Sequence, residues 1–160
     1  MKYLSNCFLL ILPALLFNVA FISSLPKAFS MDFFWKDIPP YVGYPENNLR
    51  VFAFAIPIFF PLRFITPRQN GGLVLYLAGT IIYFVSWMLQ IFFPESAWST
   101  SWIGFMAPAY TPLIWFLGIG LIGATTYFRI PYKWWYYTVG VVLFLIFHNW
   151  HTWIIYSRAF

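Results

Sequence analysis

The stretch Val139-Gly140-Val141-Val142-Leu143-Phe144-Leu145-Ile146-Phe147 has no polar side chain on any face. A strand of a membrane β-barrel would alternate apolar and polar residues over about ten positions. A helix buried all round, in lipid or in a bundle, is apolar on every side. The stretch therefore reads as the centre of a membrane helix over about 136–156. Four further apolar runs precede it, at about 4–25, 48–66, 73–93 and 103–128. Each approaches the roughly 20 residues needed to cross about 30 Å of hydrocarbon. The sequence thus predicts an all-α integral membrane protein. Its expected form is a single polytopic domain over 1–160, a compact bundle of five transmembrane helices under an aromatic outer cap loop at 26–47.

Composition points the same way. Of 160 residues, 62% are hydrophobic, 25% aromatic and only 8% charged. Soluble domains carry roughly a quarter charged residues, so nine basic and four acidic side chains could not cover a water-soluble globule. Disorder needs the opposite composition. One cysteine, Cys7, cannot build a disulfide scaffold.

Breakers mark the run ends: Pro26, then Thr66 to Gly72, then Pro94-Glu95-Ser96, then Arg129-Ile130-Pro131. Short connections imply an up-and-down bundle. Pro57 and Pro61 kink the second helix. The fourth has two readings. Thr111-Pro112 resembles an N-cap and first helical position. A span over 112–128 would then follow an interfacial or re-entrant piece at 96–110, with Trp98, Trp102 and Phe105 on one face. Otherwise, 103–128 is one long helix kinked at Pro108 and Pro112. Gly118, Gly120, Gly123 and Ala124 permit close helix approach within the chain. Lys2 before an apolar stretch also describes a signal peptide. The length of the run favours a retained helix.

Five crossings put Lys2, Arg63, Arg68, Arg129 and Lys133 on one side with no acid. Lys27, Lys36, Arg50 and Arg158 fall on the other with Asp32, Asp37, Glu46 and Glu95. Short, purely basic loops face the cytoplasm. The expectation is a bacterial inner-membrane protein with its N-terminus cytoplasmic and its C-terminus outside. The net charge of +5 reads as attraction to anionic lipid. Nucleic acid is not an expected partner, because no basic patch is clustered outside the bilayer. Trp134-Trp135-Tyr136-Tyr137, Trp98 and Trp102 suit the headgroup level.

Two places could carry chemistry. Glu46 and Arg50, four apart with the acid first, form a favourable helical ion pair. Asn47 or Asn48 could cap the helix start, and Arg50 could clamp a phosphate or carboxylate. In the last helix, His148 and His151 share a face with Thr152 and Ile155, beside Asn149. Ionisable groups at membrane depth default to a functional hypothesis. The histidines could act as acid–base groups, bind a metal with Glu46 or Glu95, or hydrogen-bond neighbouring helices. Catalytic candidates are thus His148 and His151. Ligand-binding candidates are Glu46, Asn47, Arg50, Glu95 and Asn149. The sequence names no cofactor. It favours a protein that binds a lipid-like ligand or a membrane-protein partner at its outer half. An enzyme acting on a lipidic substrate is the second reading. A small-molecule transporter ranks last, since no helix carries a central acid and no internal repeat is evident.

Overall fold

The computed structural model describes residues 5–128 and 131–160. The basic residues Lys2 and Arg129, the expected start of the first run at residue 4 and part of the break at 129–131 lie outside them. Among the described residues the fold is helical throughout, with one isolated bridge between Asn6 and Pro61 and no named strand. The helices are α1 (Leu12–Ala20), α2 (Met31–Phe34), α3 (Pro40–Ala55), α4 (Pro67–Phe92), α5 (Ala97–Thr100), α6 (Trp102–Tyr110), α7 (Pro112–Ile122) and α8 (Trp134–Ala159).

Three stretches are long and apolar enough to cross a membrane: α4, α6 with α7 as Trp102–Ile122, and α8. The 26 residues of α4 and of α8 are each about 39 Å long at 1.5 Å per residue. The first two runs form shorter helices. The first is a 3-10 turn, Cys7–Leu10, followed by α1. The second begins eight residues earlier than expected, because Pro40 occupies the first helical turn, where its missing N–H costs nothing. Asn47 and Asn48 therefore lie inside α3 and cap nothing. The cap shrinks to about 26–39. At its other end α3 passes into the 3-10 turn Ile56–Phe59 at Pro57 and does not continue to 66.

The supposed turn before α4 is also helical. Thr66 accepts from the Gln69 backbone while the Gln69 side chain accepts from the Thr66 backbone, a capping box with Pro67 at the first position. Gly72 serves packing rather than a turn. A Cβ there would lie 2.9 Å from the Gly118 carbonyl oxygen. One at Gly79 would lie 2.5 Å from the Trp115 backbone nitrogen. The backbones of α4 and α7 thus touch at Gly72, Gly79 and Gly118, whereas Gly120 faces Tyr137 and Thr138 of α8. Gly123 instead faces the Phe60 ring.

The fourth run resolves as α6 and α7 in series through Thr111, which has helical dihedrals. That is the kinked-helix reading, ending at Ile122 rather than 128. Trp98, Trp102 and Phe105 do not share a face. Ser101 breaks α5 from α6, leaving both tryptophans exposed and Phe105 buried.

Prolines leave carbonyls without their helical donor, and distant side chains supply replacements. Pro57 frees the Ala53 carbonyl, which accepts from the buried Tyr137 hydroxyl at 2.9 Å. Pro108 frees the Gly104 carbonyl, which accepts from the Gln90 amide at 2.8 Å. Tyr137 is therefore a core residue, not part of an interfacial belt.

Candidate functional site

Glu46, on α3, meets α8 because these helices pack closely along their length. At Gly140 a Cβ would stand 2.1 Å from the Phe52 ring, so only glycine admits that ring. The approach sets Glu46 against the face of α8 that carries His148 and His151. Their spacing of three places both imidazoles on it.

The Glu46 carboxylate is fully buried. Its Oε1 accepts from the Arg50 guanidinium, one helical turn away. The same oxygen lies 2.8 Å from His148 Nδ1. Its Oε2 lies 2.5 Å from His151 Nδ1. His151 Nε2 lies 2.7 Å from the Phe34 carbonyl oxygen. A carbonyl only accepts, so Nε2 of His151 carries a proton. A second proton then occupies the Oε2–Nδ1 contact, whether on Glu46 or on His151. With that proton in place, Nδ1 of His148 donates to Oε1. Nε2 of His148 has no hydrogen-bond partner among the described residues.

The cap closes over this cluster. Phe34 and Trp35 pack on His151 at ring distances of 4.2 and 4.7 Å. Phe144 stacks on His148 at 5.4 Å. The Arg50 guanidinium sits 5.3 Å from the Trp35 ring centre, a cation–π contact. Arg158, near the end of α8, donates to the carbonyls of Lys36 and Asp37 and ties the cap down. Asp37 has a positive φ of 51°, which presents those successive carbonyls to one guanidinium.

A cavity of about 580 Å³ opens beside the cluster. It lies between α1, which packs on α4, and α3, which packs on α8. Its walls are chiefly aromatic and aliphatic, among them Phe17, Phe54, Trp87 and Phe116. Arg50, His148 and Thr152 contribute polar groups to the wall. Exposed Ile22, Met31 and Val51 border its mouth. Trp115, also on the wall, has a buried indole N–H with no acceptor among the described residues.

Four of the sequence candidates thus converge: Glu46, Arg50, His148 and His151. Three do not. Asn47 is exposed on α3. Glu95 is exposed in the turn after α4. Asn149 donates to the carbonyls of Leu145 and Ala109, a tie between α8 and α6. No group of three His, Cys, Asp or Glu among the described residues is arranged to hold a metal ion. In this cluster the histidine nitrogens facing Glu46 are engaged in hydrogen bonds to it. The sequence reading missed the Phe34 carbonyl, because a main-chain acceptor leaves no mark in a residue type. It missed the cavity wall from α1 because helix contacts across the bundle have no local signature. No protein-family model, curated protein or solved structure matches this chain, so function is read from this geometry.

Proposed function

We propose that this protein binds a lipid-like amphiphile in the cavity between α1 and α3. The cavity carries the reading. At about 580 Å³ it falls within the roughly 300–1,000 Å³ of small-molecule sites, which are mostly apolar with a few convergent polar groups. An amphiphile would enter from the bilayer between Ile22 and Val51, put its tail among the aromatic rings and its head at Arg50 and His148. A membrane-protein partner remains an outcome of the same experiment.

The proposal places the protein in a plasma membrane with five crossings, N-terminus cytoplasmic and C-terminus outside. Contacts along the bundle support five. Cys7 bonds Phe60 near one end, Asn18 bonds Tyr83 partway along α4, and Phe29 stacks on Phe105 near the other end. The first run, continued by Phe29 of the cap, thus has contacts at three levels of the bundle. A C-terminal reporter found in the cytoplasm would refute this orientation.

The binding test is solvent extraction of the gently solubilised protein followed by mass spectrometry. A stoichiometric amphiphile is expected, and its loss in Ala109→Phe, which narrows the cavity. A folded protein that carries no amphiphile and co-purifies with a membrane protein would overturn the reading.

One observation favours a catalytic role as a second reading. His148 donates through Nδ1 to a carboxylate and carries Nε2 beside the cavity, which is how a general base is oriented. His148→Gln would then abolish turnover of a lipid still held through Arg50 and the apolar walls, with binding weakened by less than turnover. Equal turnover in a folded His148→Gln protein would exclude it.

A further inference from the structure

We infer that the head group this cavity accepts is an anionic oxyacid, a carboxylate or a phosphate, on a hydrocarbon tail. The inference rests on the amphiphile reading and adds the chemistry of the head.

It follows from counting protons in the buried cluster. Arg50 is always charged. Glu46 and His151 must hold between them one proton beyond a carboxylate and a neutral imidazole, because both nitrogens of His151 face oxygen acceptors. If that proton is on His151, imidazolium and carboxylate cancel. If it is on Glu46, both are neutral. His148 is neutral with Nδ1–H toward Glu46, or positive if Nε2 is also protonated. Every arrangement that satisfies the four contacts leaves a net charge of at least +1 on the cluster.

No described side chain supplies the balancing charge. Glu46 is the acid in every ion pair among the described residues, and it is already included in the count. No acidic side chain lines the cavity. A cation left beside an apolar cavity favours an anion there far more than the same cation would in water. The available donors suit an oxyacid. Arg50 has five N–H groups and directs one nitrogen to Glu46, leaving others for a second set of oxygens. Nε2 of His148 can accept a proton from an acid head or donate one to its anion. Fatty acids, alkyl phosphates and free anions share this chemistry.

The test is equilibrium binding to the full chain in a non-ionic detergent, read by tryptophan fluorescence, since Trp35, Trp87 and Trp115 line the cavity. The probes are oleate, oleyl alcohol, oleyl phosphate, acetate and inorganic phosphate. Oleate, oleyl phosphate or both should bind about ten- to a hundredfold more tightly than oleyl alcohol, the worth of one charge-assisted hydrogen bond. The tighter of the two then names the head. Acetate and inorganic phosphate should bind far more weakly than their tailed forms. Arg50→Gln should erase the preference for the anion while oleyl alcohol still binds. The series on the unaltered protein is decisive even if that variant fails to fold. Oleyl alcohol binding as tightly as both anions would overturn the anionic head and leave the amphiphile reading standing. No binding by any tailed probe would overturn both. Equal binding of tailed and tailless anions would show a free-anion site and overturn the lipid source.

Discussion

Glu46 holds three side chains from two helices, and two substitutions there separate its charge from its hydrogen bonds. In Glu46→Gln the amide has one accepting oxygen and one donating NH2. The oxygen can take the place of Oε1, where Arg50 and His148 both donate. The NH2 then replaces Oε2 and donates to His151 Nδ1. That nitrogen must give up its proton, and Nε2 keeps its proton on the Phe34 carbonyl. Arg50, His148 and His151 each keep a hydrogen bond, while charge assistance is lost where Glu46 is ionised and the second amide N–H gains no acceptor in the cluster. Hydrogen bonds to charged groups contribute about 1.5–3 kcal/mol and neutral ones about 0.5–1.5. The expected cost of Glu46→Gln is therefore about 1–2 kcal/mol. Glu46→Ala removes all the acceptors, strands the Arg50 charge and leaves a void. Removing one member of a buried ion pair costs about 3–5 kcal/mol, and the partial exposure of the Arg50 side chain places this loss at the lower end. Equilibrium unfolding in mixed micelles, with helicity as the readout, would measure both. The alanine variant should lose at least about 1 kcal/mol more than the glutamine variant. Equal losses would show that the carboxylate does not organise α3 against α8, and the proton count built on it would fall too.

Other consequences can be tested in the same unfolding assay. Gly79→Ala forces a Cβ to within 2.5 Å of the Trp115 backbone nitrogen, and such overpacking costs about 1–3 kcal/mol. Gly71→Ala, with nothing within 4 Å of its new Cβ, should be neutral or stabilising by up to about 1 kcal/mol; a loss at Gly71 equal to that at Gly79 would count against the close α4–α7 contact. Tyr137→Phe leaves the Ala53 carbonyl without a donor and should cost about 1–3 kcal/mol. Gln90→Leu should do the same through Gly104, while unchanged stability in both would mean those carbonyls have other donors. Arg158→Gln loosens the Lys36–Asp37 end of the cap from α8, while His151 still holds Phe34, and should speed proteolytic cleavage around 36–39, with no change elsewhere.

How much of this was legible in the sequence depended on the range of the interaction. Glu46 with Arg50, and His148 with His151, stand four and three residues apart, and helical spacing alone aligns each pair. That one pair meets the other spans about a hundred residues and is set by packing at Gly140, where the Phe52 ring of α3 explains the glycine. Local signals were also outweighed. Asn70, Gly71 and Gly72 read as a turn, yet the capping box at Thr66 and Gln69 starts the helix before them. Pro40 similarly opens α3 inside what composition marked as a loop. Hydropathy located five apolar runs, but prolines and capping residues set where the helices end, so three came out long enough to cross and two came out short.

The prolines also show why the unmatched charge matters. In an apolar bundle each freed backbone group needs a partner, and here other helices supply it: Tyr137 for Ala53 and Gln90 for Gly104, while His151 serves the Phe34 carbonyl at the end of α2 in the same way. A fold that answers single carbonyls with buried side chains from other helices nevertheless leaves a positive charge facing a cavity without an acid on its wall. Departures of this kind from local consistency concentrate at functional sites. Stability alone would be served by an apolar residue at 50, since an ion pair replaced by hydrophobic packing is often neutral or stabilising. Arg50, with its guanidinium held between Glu46 and Trp35 and no further hydrogen-bond acceptor among the described residues, is the group the proposed anionic head would engage.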